Sequence, residues 1–156
     1  MEERFRQGAL AGLAAGAIML ATAWASFRLG WLPFNPLQVS ADILLPRSAA
    51  QTTTGIWVGI GVHAVLSLLF GLIYASFFPR ANWLLYGLAY GIILEVVTGG
   101  IIGPFLGVLP PFWRLGTVAL LASLGNRLLY GGVVGYLVTS AGAQVGAKAA
   151  GPEENE

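Results

Sequence analysis

The chain has 156 residues, 56% of them hydrophobic and 10% charged, with a net charge of +1 at pH 7 and a mean hydropathy of +0.75. Water-soluble domains carry about 25% charged residues, so the composition excludes an ordinary soluble domain and points to an all-α polytopic membrane protein. The lack of cysteine excludes disulfides, thiolate metal sites and thiol chemistry, and the near-zero charge leaves no footprint for nucleic acid.

About 20 apolar residues span the hydrocarbon core of a bilayer. Residues 8–29, 55–78, 83–107 and 116–139 meet that length, giving a single four-helix transmembrane domain over 1–139. The first segment is read as a retained helix rather than a signal peptide. Its flank Glu2–Glu3–Arg4–Phe5–Arg6 is only weakly basic, and apolar Trp24–Ala25–Ser26–Phe27 continues past the small residues Ala21–Thr22–Ala23. Gly8, Gly12 and Gly16 share one lane of this helix. The lane is expected to be open to a second copy or a partner subunit, which predicts a homo-oligomer or a subunit of a larger membrane complex.

The connection over 30–54 is the longest and is punctuated by Pro33, Pro36 and Pro46. Within it, 37–45 reads as a short interfacial helix with Gln38, Ser40 and Asp42 on its polar side. The second span carries the lane Gly55–Gly59–His63–Ser67–Gly71. Pro79–Arg80–Ala81–Asn82 then makes a turn short enough to predict that the second and third spans are antiparallel neighbours. Trp83 and Tyr86 stand at the interfacial level, as aromatic belts do.

The third span carries Gly87–Gly91–Glu95–Gly99–Gly103–Gly107. Gly99–Gly100 and Gly103–Pro104 weaken its end, and Pro110–Pro111 stop it, so its last turns are expected to be distorted or re-entrant. The fourth carries Ala119–Ser123–Arg127–Gly131–Gly135, and the polar tail 140–156 is expected to be flexible. Arg4, Arg6, Arg80 and Lys148 lie on the face that holds both termini, against Arg28, Arg47 and Arg114 on the other. This asymmetry favours cytoplasmic termini in a bacterial inner membrane.

His63, Glu95 and Arg127 stand mid-span, each flanked by small residues four positions away on both sides. An isolated charge near the bilayer centre costs about 2.5–3.5 kcal/mol on insertion scales, so these groups are expected to face each other inside the bundle. At 1.5 Å per residue, His63 and Glu95 both lie about 20 Å from the turn between them, and Arg127 reaches the same layer. Small residues spaced four apart are a mark of close helix packing in lipid. The packing set read this way is Gly8, Gly12, Gly16, Gly59, Gly87, Gly91, Gly99, Gly131 and Gly135. Two readings of the polar centre stand. In one, Glu95 and Arg127 are a structural ion pair with His63 hydrogen-bonded to Glu95 or to a carbonyl. In the other, the cluster, with Ser67 one turn from His63, binds a ligand, an ion or a proton. One histidine and one carboxylate make no zinc site, and no catalytic constellation is readable.

From the second span onward several motifs recur together: His63, Ser67 and Gly71 with Phe70 and Tyr74; Tyr86–Gly87 and Gly91; Pro104, Gly107 and Pro110–Pro111; Ser123–Leu124–Gly125 with Leu128 and Tyr130–Gly131. Pro46–Arg47–Ser48 precedes them. In this the chain resembles small bacterial four-helix inner-membrane proteins of the YagU-like kind. The resemblance implies the four-helix architecture, adds weight to His63 and implies no settled activity. Such relatives often carry a histidine where this chain has Asn126, so a two-histidine site is not carried over. The expected function is a non-enzymatic membrane protein, an accessory subunit or oligomeric scaffold around the His–Glu–Arg cluster. The alternatives are a small oligomeric transporter or channel, proton- or ion-linked, and a haem- or quinone-binding subunit using His63.

Overall fold

The computed structural model describes residues 2–149, with side chains described to Gly142, and contains helices and no strand among the described residues. Among the described residues seven α-helices follow in order: α1 (Glu2–Arg28), α2 (Pro36–Ala41), α3 (Arg47–Ala50), α4 (Thr53–Phe77), α5 (Trp83–Leu94), α6 (Gly103–Phe105) and α7 (Thr117–Ala149). A π-helical segment, Glu95–Ile102, joins α5 to α6, and a 3₁₀ turn, Phe112–Arg114, precedes α7. Among the described residues four helices are long and apolar enough to cross a membrane: Glu2–Arg28, Thr53–Phe77, Trp83–Phe105 and Thr117–Gly142. The chain is an all-α membrane protein.

The helix ends follow local chemistry. Thr52 and Asn82 accept from the backbone N–H groups of Gly55 and Leu85 and start α4 and α5. α1 ends in a Schellman motif: Gly30 takes φ +76°, its N–H donates to Phe27 O, and Trp31 N–H donates to Ser26 O. The third span ends the same way on Gly107, at φ +69°. The Arg4 guanidinium donates to the carbonyls of Ala75 and Ser76 and satisfies the end of α4.

Three expected boundaries change. α1 begins at Glu2, because Glu2 and Glu3 in its first turn suit a helix N-terminus. α7 runs on to Ala149, ten residues past the expected end at Thr139, because the alanine-rich stretch after Thr139 favours helix whatever its polarity. So 140–149 of the expected flexible tail is helical, and the remainder lies outside the described residues. The expected interfacial helix over 37–45 is helical over Pro36–Ala41 and packs on α4, where Gly59 leaves no room for a Cβ beside the Leu37 carbonyl.

The spans form a row in the order α4, α1, α7, α5. A Cβ at Gly12 would lie 2.8 Å from Gly71 Cα, and one at Gly8 2.6 Å from Ala75 Cβ, so α1 and α4 touch backbone to backbone. Across the other seam, a Cβ at Gly91 would lie 2.8 Å from Leu128 Cα, one at Gly87 2.6 Å from Gly131 O and one at Gly135 2.6 Å from Trp83 O. The lane Gly8–Gly12–Gly16 is therefore buried inside the chain, not open to a partner.

The hairpin helices α4 and α5 share almost no backbone contact among the described residues, contrary to the expectation of tight neighbours. Rings hold them apart. Tyr74 and Phe78 stack with centroids 5.0 Å apart, and Tyr90 meets them edge-on at 5.3 and 5.1 Å. The two helices meet at this aromatic wedge near the turn, and a cavity occupies the space between them on the far side of it.

Candidate functional site

The π segment opens on Glu95, which is 3% exposed. Its carboxylate is held from α7. Ser123 Oγ lies 2.9 Å from Oε1 and 3.0 Å from Oε2, and Arg127 Nε lies 3.6 Å from Oε2. Ser123 and Arg127 are one helical turn apart, so one face of α7 meets the carboxylate twice. Gly99, four residues on, lets the acid fold back over its own helix: a Cβ there would stand 3.2 Å from Oε1.

The ion pair is loose. A matched guanidinium–carboxylate fork closes to about 2.7–2.9 Å on two parallel bonds. Here one nitrogen faces one oxygen at 3.6 Å. Arg127 Nη1 has only the Met19 sulfur at 3.7 Å, and the side chain keeps 23% of its surface. A guanidinium offers five N–H donors, and the described residues occupy only part of that set.

The other expected site residues are placed as follows. His63 shares the layer but bonds elsewhere: Nε2 lies 3.0 Å from Gly16 O on α1. A carbonyl only accepts, so Nε2 carries the hydrogen, and in the neutral ring Nδ1 is the acceptor. Ser67 is 3% exposed and faces Gly16, while its carbonyl accepts from Tyr130 Oη at 2.7 Å. Asn126 ties helices together, donating to Ala122 O at 2.8 Å and accepting from Thr22 Oγ1 at 2.6 Å. Of the two partners expected for His63, Glu95 or a backbone carbonyl, the structure has a carbonyl, that of Gly16 on α1. Glu95 and Arg127 are brought together.

All five line one cavity of about 240 Å³, with Glu95, Arg127, Ser123 and Asn126 forming its polar floor. Its walls are apolar: Met19 and Ala23 from α1, Leu66 and Phe70 from α4, Val39 and Ile43 from the first connection. Ile102 and Leu106, on the distorted end of the third span, also line it and are 41% and 47% exposed, which places the mouth beside them. Toward the hairpin the cavity is blind. Tyr130 and Tyr90 donate to the carbonyls of the wall residues Ser67 and Phe70, both at 2.7 Å, and Tyr74, Tyr90 and Tyr130 are each at most 2% exposed.

Ser123 and Thr22 were missed as site residues by sequence reading. Ser123 stands in the Arg127 lane, four positions ahead, and that spacing was the available signal. Thr22 has no such mark, since its role depends on how α1 and α7 cross.

A family model described as conserved membrane protein YqhR matches residues 7–150. The chain belongs to this family. The match corrects the YagU-like label, which rested on short motifs such as His63–Ser67–Gly71, Pro110–Pro111 and Tyr130–Gly131. The four-spaced small residues among them are what close helix packing in lipid favours, so they mark architecture before family. No curated protein and no solved structure matches the chain. The membership carries the membrane character of the YqhR family and no activity.

Proposed function

We propose that the protein is a non-enzymatic subunit of the bacterial inner membrane that holds a small molecule in the cavity between α4 and the π segment, with both termini cytoplasmic. The observation that carries this reading is the looseness of the Glu95–Arg127 pair on the floor of a formed cavity. A pair kept only for architecture would close into a fork, whereas this one leaves donors beside about 240 Å³ of space. The π segment supports the same reading, because such distortions occur often at functional sites.

The transporter reading is weaker. A path through one chain would have to cross the buried Tyr74, Tyr90 and Tyr130, whose rings fill the space below the cavity. Haem ligation by His63 is also disfavoured, because Nε2 is engaged by Gly16 O. The scaffold reading loses the lane Gly8–Gly12–Gly16, so contact with a partner subunit must use another surface.

Native mass spectrometry of the protein released from mild detergent tests the proposal. The expected result is a bound small-molecule mass that disappears in Ala23→Phe, which fills the cavity, and persists in Leu69→Phe, which faces outward. An unliganded wild-type chain that no apolar additive stabilises would refute it.

A further inference from the structure

We infer that the cavity takes a neutral, largely apolar molecule headed by a carbonyl oxygen, with that oxygen on Arg127 and the tail leaving between Ile102 and Leu106. This rests on the reading of the cavity as a ligand site. Three features of the site define the class.

The first is hydrogen-bond polarity. Glu95 is the acceptor of its own floor and is already met by Ser123 and Arg127. The charged groups left on the floor to address a ligand are the remaining guanidinium N–H donors of Arg127, which call for an acceptor. The second is net charge. Glu95 and Arg127 cancel, and a carboxylate or phosphate on Arg127 would sit beside Glu95 at mid-span in an apolar-walled site, where like charges repel strongly. A carbonyl accepts the same N–H bonds without that repulsion. The third is size and lining. A dry cavity of about 150 Å³ holds a benzene ring, so 240 Å³ encloses a ring with substituents or a short chain. The longer remainder must pass the mouth, whose Ile102 and Leu106 are apolar and 41% and 47% exposed. Membrane quinones and neutral fatty-acyl esters share this chemistry, and the experiment separates them.

Four probes suffice, added at pH 8 to protein in lipid nanodiscs: a quinone with one isoprene unit, methyl decanoate, decanoate and decane. Methyl decanoate, decanoate and decane differ only at the head. The expected order places the quinone and the ester ahead of decanoate and decane by about tenfold or more, the weight of a hydrogen bond to a charged donor. Whichever of the two binds tighter names the source.

Glu95→Gln retains the shape and the Ser123 bond while leaving Arg127 uncompensated, so decanoate should gain about tenfold relative to the ester. If that variant does not fold, the double variant Glu95→Gln/Arg127→Met removes both charges, and the ester should lose its advantage over decane. A wild-type preference for decanoate, equal binding of ester and decane, or an unchanged ester-to-decanoate ratio in Glu95→Gln would overturn the inference. An occupant found by mass spectrometry that neither neutral probe displaces would overturn it while the ligand-site reading survives. A wild-type chain that carries nothing and binds no probe would end both.

Discussion

Arg127 sits mid-span with one nitrogen 3.6 Å from a carboxylate and another 3.7 Å from a thioether. Stranding either charge of such a pair costs more than removing both, because the remaining ion keeps its desolvation penalty. Glu95→Gln and Arg127→Met should each lower stability in detergent by about 1–3 kcal/mol, and the double variant should lose less than their sum. Thermal melts of the four proteins measure this, and strictly additive losses would show that the pair is not coupled. Ser123→Ala removes the hydroxyl that spans both carboxylate oxygens and should cost about 1 kcal/mol. It should lose its effect in a Glu95→Gln background, which the same melts would register. The layer shared by His63, Glu95 and Arg127 was legible from span lengths, since each lies mid-way along an apolar run. The bond from His63 to Gly16 O was not, because it depends on which helix lies against α4.

At the scale of the element, the π segment sets the site. A π turn carries about one residue more than an α turn, and Glu95–Ile102 places Glu95, Thr98, Gly99 and Ile102 along the same cavity. Deleting Val97 should remove the extra residue and restore α-helical spacing, keeping Ile102 and Gly103 in register while drawing the widened turn around Glu95 and Thr98 back from the cavity. The helix should survive, and ligand binding should fall by more than tenfold. Retained binding in a folded deletion would show that the distortion is incidental. Gly99–Gly100 and Gly103–Pro104 signalled a weakened end, yet not its form, because glycine and proline mark where an α-helix is cheap to distort and not how. The glycine lanes behave alike: spacing identified surfaces of close approach, and only the fold decides between neighbour and partner. Gly12→Leu should wedge α1 from α4, because a Cβ there already lies 2.8 Å from Gly71 Cα. Gly61→Ala meets nothing within 4 Å and should leave yield unchanged. Fluorescence-detected size exclusion compares the two, and a monodisperse Gly12→Leu chain at wild-type yield would contradict the α1–α4 seam.

For the whole molecule, four spans of sufficient apolar length were legible because bilayer thickness fixes segment length. Their order in space was not. A turn as short as Pro79–Asn82 brings two helix ends together, but the wedge of Tyr74, Phe78 and Tyr90 then splays the helices it joins. That splay is why one small chain holds a cavity at the depth of its charged residues. Closing it, by Phe78→Ala with Tyr90→Ala, should let α4 and α5 approach and reduce ligand binding by about tenfold or more, even where the spans persist. Occupancy of the cavity is decided most directly by density. An experimental structure in lipid nanodiscs, with nothing added, should show non-protein density contacting the Arg127 guanidinium and leading toward Ile102 and Leu106. A collapsed space with Arg127 folded into a two-bond fork on Glu95 would contradict it.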